Sequence, residues 1–224
     1  METYKTDLLD LRCCDNMQLM SQYADNHFEL AVVDPPYGIG FSEFNRTNKT
    51  NTGKRIKANK YKQSNWDESI PNDEYFKELF RVSKNQIVWG GNYFSYIWQF
   101  GGKGFIFWKK NNPVDNFSDG ELAWSSFNKV AKCFDYSYYG GIAGNTKADS
   151  KIHPTQKPVK LYDWIFKNYA NDGDKILDTH LGSGSIAIAS HYAGLHLTAC
   201  EIDVDYFKES VSRIKRETAQ QSLF

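Results

Sequence analysis

The run "DKILDTHLGSGSIAIASHYAGLHLTACEID", residues 174–203, lies about twenty residues from the end of the chain. "DKILD" reads as a strand, "THLGSGS" as a glycine-rich turn, "IAIASHYAG" as a helix closed by Gly194, and "LHLTACEID" as a second strand. A βαβ unit of this kind belongs to a largely parallel sheet. Only a final amphipathic helix, from about Tyr206 to Arg216, follows it. The other strands are therefore expected from the N-terminal half, which predicts an α/β fold with a doubly wound, mostly parallel sheet.

Gly182 and Gly184 permit a tight turn and a close ligand, and the next helix turns its free N–H groups and positive dipole end to the same spot. Glu201, 19 positions after Gly182, stands where a carboxylate can accept hydrogen bonds from ribose hydroxyls. Gly-Ser-Gly-Ser-Ile-Ala also fits the loose G-x-G-x-x-A dinucleotide fingerprint. A nicotinamide dehydrogenase, however, encodes that loop first and follows it with several strands. Chain order sets this alternative aside.

The N-terminal half contains "ELAVVDPPYGIGF", residues 29–41. Its apolar run reads as a buried strand, and two prolines end it. Ligands bind at the carboxyl edge of parallel sheets. Asp34, Pro35, Pro36 and Tyr37 are thus expected at the same edge as a nucleoside held by Gly182 and Glu201.

A short helix is expected around Met17 to Tyr23, and an amphipathic one in "PNDEYFKELFRVS". Strands are expected at "QIVWG", "GFIFWK" and around "KVAKCFDYSYY", and a further helix in "PVKLYDWIFKNYA". Trp89, Trp108 and Trp124 read as core residues, and His191 and His196 as structural ones. The length, 224 residues, suits a single domain. No apolar segment spans a bilayer and the start does not resemble a signal peptide, so the protein is expected in the cytoplasm, away from membranes. Cys13, Cys14, Cys133 and Cys200 read as reduced thiols. Neither they nor the histidines form a ligand set, so no metal is expected.

Net formal charge is zero, yet Arg46, Lys49, Lys54, Arg55, Lys57, Lys60 and Lys62 cluster in a stretch, Phe44 to Trp66, without an acid. With 16% aromatic residues, this fits a surface that meets phosphates and bases. The stretch reads as a long loop, and such loops are usually functional or disordered.

If the nucleoside is S-adenosylmethionine and the acceptor an exocyclic amine of a base, the motifs acquire chemistry. Such an amine is a poor nucleophile because its lone pair is delocalised. Asp34 and the carbonyl of Pro35 can accept its two N–H bonds, and Tyr37 can stack on a base swung out of the helix. Rate then comes from in-line positioning and preorganised acceptors.

At this point the sequence resembles the β group of DNA amino-methyltransferases, which have a permuted motif order. "DPPY" resembles the catalytic motif, "HPTQKPVKLYDWI" the segment before the cofactor loop, "LDTHLGSGS" the loop itself and "ACEID" the acidic strand end. "WGGNYF" and "FSDGELAWSSF" are similar to phage and prophage members. The resemblance implies a circularly permuted, Rossmann-like methyltransferase fold. It implies that Asp178, Gly182, Ser183 and Gly184 contact the methionine part of the cofactor, with Thr155, Gln156 and Lys157 opposite. Glu201 would hold the ribose, and Asp15, in "DNMQLM", would lie near the adenine. Asp34, Ile202, His180 (for the usual Phe) and Ser185 (for the usual Thr) complete the implied cofactor site.

S-adenosylhomocysteine would be the second product and double-stranded DNA the partner. A homodimer and a cognate restriction nuclease are left open. The basic loop, about 42–66, would contact DNA, and a small insertion, about 130–152, would recognise the target. The acceptor is expected to be adenine N6, because Asp at the first motif position accompanies mainly adenine enzymes and Ser mainly cytosine enzymes. Cytosine N4 is the alternative, as is a non-catalytic nucleic-acid-binding subunit. The latter would be expected to lose Asp34 or Tyr37, and both are present.

Overall fold

The computed structural model describes residues 2–38, 70–111, 118–138, 152–153 and 155–219. The basic stretch from Arg46 to Lys62 lies outside these residues. Among them a nine-stranded sheet runs in the order β1-β2-β9-β8-β3-β4-β6-β5-β7. Its strands are β1 (Thr3–Lys5), β2 (Leu9–Cys13), β3 (Phe28–Val33), β4 (Ser83–Trp89), β5 (Ile106–Lys109), β6 (Gly120–Ser125), β7 (Lys132–Asp135), β8 (Lys175–Asp178) and β9 (His196–Glu201). The central pairs β2–β9, β9–β8, β8–β3 and β3–β4 are parallel, whereas β1–β2, β4–β6 and β6–β5 are antiparallel.

Two-sided burial explains the apolar run of β3. Leu30 and Val32 join Ile176 and Leu197 on one face, beneath α3 (Val159–Tyr169), α4 (Ser185–Ala193) and α5 (Val204–Thr218). Ala31 and Val33 join Leu177 and Cys200 on the other, beneath α1 (Asn16–Met20) and α2 (Asp73–Val82). Alternation along a strand supplies both cores, as a doubly wound sheet requires. Each fully buried apolar side chain contributes roughly 1.5–3 kcal/mol.

The helices start where their capping chemistry places them. Asn72 accepts the Tyr75 N–H at 3.0 Å, and Asp203 accepts those of Asp205 and Tyr206 at 2.8 and 3.1 Å. Pro158 precedes α3 in extended backbone as its cap residue.

The register decides where function can sit. Leu30 pairs with Ile176 and Ala31 with Leu177, so the N-terminal strand lies directly beside the one that feeds the glycine loop. Asp34 and Asp178 therefore leave the sheet at the same edge.

Three strands lie outside those expected: β1, β2 and β6. β2 alternates buried Leu9 and Leu11 with Asp10 and Arg12, a period-two signal only five residues long. The start of the expected recognition insertion, about 130–152, coincides with the strand expected around "KVAKCFDYSYY". Lys132–Asp135 pair in parallel with β5, so this part belongs to the sheet. The buried side chains Trp89, Trp108 and Trp124 do occupy the core.

Leu30, 1% exposed at the junction of the two halves, tests this account. Leu30→Ala should cost about 2–5 kcal/mol, read as a lower urea midpoint at unchanged m-value.

Candidate active site

β3 releases Asp34 into a group of charges drawn from separate parts of the chain. One carboxylate oxygen of Asp34 accepts the Tyr37 hydroxyl at 2.6 Å. The other forms an ion pair with the Lys157 ammonium, which also lies 3.2 Å from Glu121 Oε2. Lys110 closes the chain by pairing with Glu121 Oε1. The Lys157 side chain is only 3% exposed, and its ammonium lies 5.3 Å from the ring centre of Trp89. Burial works against that ammonium, but the charges of Asp34 and Glu121 outweigh it and raise its pKa. Burial likewise opposes the Glu121 carboxylate, yet Lys157 and Lys110 bring it down to about 2.

The second half of the site follows β8. The carboxylate of Glu201 accepts the Gly182 N–H at 2.9 Å and the Asp203 N–H at 3.0 Å, tying the loop to the end of β9. Gly182 has φ +51°, and a Cβ there would meet only the His180 carbonyl, 3.8 Å away. The loop thus exposes bare backbone to an open space. Gly184 serves packing instead, because a Cβ there would lie 2.7 Å from Ile214 Cδ1 of α5. From the same helix, buried Arg213 donates to the Ser183 carbonyl at 2.8 Å and to Ser185 Oγ at 2.9 Å.

The two halves share one cleft of about 260 Å³. Asp34 and Pro36 line it from one side, and Gly182, Ser183, Ser185 and Glu201 from the other. Thr155, Gln156, Lys157, His180 and Ile202 also reach its wall. Asp178 is 2% exposed and accepts the His180 N–H at 2.9 Å. Burial, reinforced by the charges of Asp34 and Glu201, pushes its pKa up to about 8 despite that bond. Pro35 is buried.

Of the expected cofactor residues, Asp15, Asp178 and Gly184 do not line the cleft, whereas Gln156 and Lys157 line it and make further contacts. Asp15 is exposed and caps α1, accepting the Gln18 N–H at 3.0 Å; its neighbours Cys14 and Asn16 line the cleft. A helix start needs an acceptor, and Asp15 meets that need. Gln156 spends its amide on the Tyr138 hydroxyl and the Ile152 N–H, at 2.9 and 3.0 Å. Lys157, expected beside the cofactor, directs its ammonium to Asp34 and Glu121. Gly184, expected against the methionine part, packs on α5.

Glu121 and Lys110 escaped the sequence reading. The available signal was an acid inside the strand-like run "GELAWS", whose burial requires a cation. His180 exchanges hydrogen bonds with Asn16 at 3.2 Å and Thr179 Oγ1 at 2.9 Å. With the Asn16 amide donating, the imidazole proton is assigned to Nδ1, and burial lowers the ring pKa to about 4.

A model of the family described as DNA methylase, with N6 and N4 enzymes in its name, matches residues 43–212. The chain belongs to this family. Type II methyltransferase M.HpaI of Haemophilus parainfluenzae is 24% identical over 92% of this chain and 72% of its own length. Among solved structures, the M1.HpyAVI–SAM complex aligns with 94% of this chain and 99% of its own, at TM-score 0.60 and 17% identity. PvuII DNA methyltransferase, described as cytosine-N4-specific, aligns with 96% and 92% at TM-score 0.62 and 13% identity. The chain is a DNA methyltransferase of the N6/N4 type, and its cofactor is S-adenosylmethionine. The bare backbone at Gly182 and the Glu201 carboxylate beside it fit such a nucleoside.

Lys157→Met removes the cation between Asp34 and Glu121, leaving Glu121 with Lys110 alone, and should cost roughly 3–5 kcal/mol at neutral pH. The folded-state pKa of Glu121 is depressed from the ordinary 4.5 to about 2, so its stabilising contribution is complete above pH 4.5 and fades as pH falls towards 2. Urea unfolding of both proteins at pH 7 and pH 3.5 should show the gap narrowing in acid. An equal gap at both values would refute the pairing.

Proposed function

We propose that the chain methylates adenine N6 of a base swung out of double-stranded DNA. The observation that supports this reading is the single cleft bounded by both Asp34 and the Gly182–Glu201 loop. Asp34 at the head of the motif favours adenine by resemblance. A·T pairs also open more easily than G·C pairs, which lowers the cost of extruding the base. Cytosine N4 is the second reading, favoured by the PvuII enzyme among the structural relatives.

In the proposed mechanism, Asp34 and the Pro35 carbonyl accept the two N–H bonds of the target amine and localise its lone pair. Lys157 pins one Asp34 oxygen, so the other keeps a fixed direction. Tyr37 supplies an aromatic surface for the base. S-adenosylmethionine supplies an electrophilic methyl group and leaves as S-adenosylhomocysteine. The nitrogen forms its bond to the methyl carbon as the carbon–sulfur bond breaks, and the excess proton leaves the amine by way of Asp34 to water. Glu201 is assigned to the ribose: each of its oxygens holds one backbone N–H and retains a further lone pair. Ile202, 65% exposed beside the cleft, is assigned to the adenine face of the cofactor. Asp178 and Ser183 are assigned to its methionine part, with Thr155 opposite.

In this reading residues 1–224 form one methyltransferase domain, and the segment of about 42–66 contacts DNA. The later part of 130–152, beyond β7, contributes to target choice.

Duplex DNA is to be incubated with the protein and labelled cofactor, digested to nucleosides and resolved. N6-methyl-2′-deoxyadenosine should be the product, and N4-methyl-2′-deoxycytidine as the main product would overturn the assignment. Asp34→Ala should abolish transfer while cofactor affinity, measured by calorimetry, stays within about twofold. Turnover above a few per cent of wild type would remove Asp34 from the chemistry.

The basic stretch yields a separate expectation. Neutralising Lys54, Arg55 and Lys57 together should flatten the salt dependence of DNA binding by about one unit of log–log slope per lost phosphate contact. An unchanged slope would return this stretch to an ordinary solvated loop.

A further inference from the structure

The runs "WGGNYF" and "GELAWSS" supply Trp89 and Glu121 to the charge network, but their glycines, Tyr93 and Trp124 have no part in it; the two runs pack on each other, and the first also meets Tyr37. After β4 the chain turns through a short 3₁₀ segment, Gly91–Tyr93, anchored by the Gly90 N–H on the Leu122 carbonyl at 2.9 Å. Gly90 has φ +69°, and a Cβ there would lie 2.1 Å from Tyr37 Cε1. A Cβ at Gly91 would lie 2.5 Å from Trp124 Cβ. Both glycines are thus required by close approach: the first admits the Tyr37 ring, and the second presses the turn onto β6. Their joint effect is to hold Tyr93 over Tyr37. The rings lie 5.0 Å apart between centres and only 13° from parallel.

Tyr93 is 43% exposed, an unusual cost for a large ring held so deliberately. Tyr37, half-buried between this ring and the sheet, points its hydroxyl at Asp34. A base resting on the outer face of Tyr93 would be one ring too far out for its amine to reach Asp34. A base entering between the two rings would lie in the layer next to Tyr37, with its edge directed at the carboxylate. We infer that Tyr93 is the second wall of the base-binding slot and that the extruded base is clamped between Tyr37 and Tyr93. Entry requires the rings to part by roughly one aromatic thickness, about 3.5 Å. The solvent-facing Tyr93, carried on a single turn, is the wall that moves. Stacking is indifferent to base identity, so this residue tightens DNA binding and leaves the choice of base to Asp34 and its surroundings.

The inference rests on the proposed methyl transfer to an extruded base, and the test separates the two. Once the position methylated by the wild-type protein is mapped, a duplex with 2-aminopurine at that position reports stacking directly. Wild-type protein should leave the extruded fluorophore quenched between two rings. Tyr93→Leu should brighten it and raise the KM for DNA about tenfold or more, whereas Tyr93→Phe should match wild type. Cofactor affinity should be unchanged in both variants, because Tyr93 is not part of the cleft wall. As a measurement on the unmutated protein, a duplex with 5-iodouracil at the mapped position should cross-link to Tyr93 under ultraviolet light. Tyr93→Leu with wild-type KM and fluorescence, or cross-links that never include Tyr93, would overturn the clamp alone. A wild-type protein that methylates no base in DNA would overturn the clamp together with the reading beneath it.

Discussion

The ion pair between Lys157 and Asp34 is the interaction on which the site depends. A buried ammonium is tolerable only if opposite charge surrounds it, and two other parts of the chain must converge on it to supply that charge. Asp34 arrives at the end of β3, Glu121 from β6, and Lys157 from the segment before α3. None of these groups could be buried alone without losing its charge or its fold. The network therefore fixes the acid to within a hydrogen-bond length while keeping it beside the cleft. Its geometry is set before any substrate arrives, which is the condition for an acceptor to act on a developing charge.

Convergence of this kind needs a scaffold, and the register of β8 against β3 provides it. Two segments more than 140 residues apart become neighbours, and both stop at one sheet edge. The long sequence separation makes such pairing slow to form but costs little at equilibrium, because loop-closure entropy grows only logarithmically. The same edge then receives the loop tied by Glu201. Arg213 and Ile214 support that loop from α5, so even the final helix is part of the cofactor half.

The sequence shows how far pattern alone reaches. Strands β3, β8 and β9, helices α2 to α5, and the shared edge of Asp34 and Gly182 were legible, because each rests on local periodicity or on a chain-order argument. The role of Glu121 was not legible, because an acid within a strand reads the same whether it faces water or a buried lysine. Asp15 shows the converse problem. A motif can nominate an acid for a ligand, while in the fold its carboxylate caps a helix, here through the Gln18 N–H, and does not line the cleft. The Gly90–Gly91 pair was visible as a motif, but its reason lies in Tyr37 and Trp124, which approach it only in the folded chain.

The hydroxyl of Tyr37 adds a last consideration. A carboxylate oxygen aimed into a cleft must be satisfied in the absence of DNA, or it draws water and reorients. The Tyr37 hydroxyl satisfies it at 2.6 Å. Burial, and then the negative charge of Asp34, raises the phenol pKa well above its ordinary value, so the proton stays on the oxygen and the bond keeps its polarity. When a target amine arrives, an N–H can replace this O–H at the same acceptor. Exchange of one hydrogen bond for another is close to neutral, in contrast to the creation of an unsatisfied group. Stacking energy from the aromatic rings is then left to hold the base rather than to strip the acid of water. A tyrosine thus serves the motif at both ends: its ring receives the base, and its hydroxyl keeps the acceptor ready.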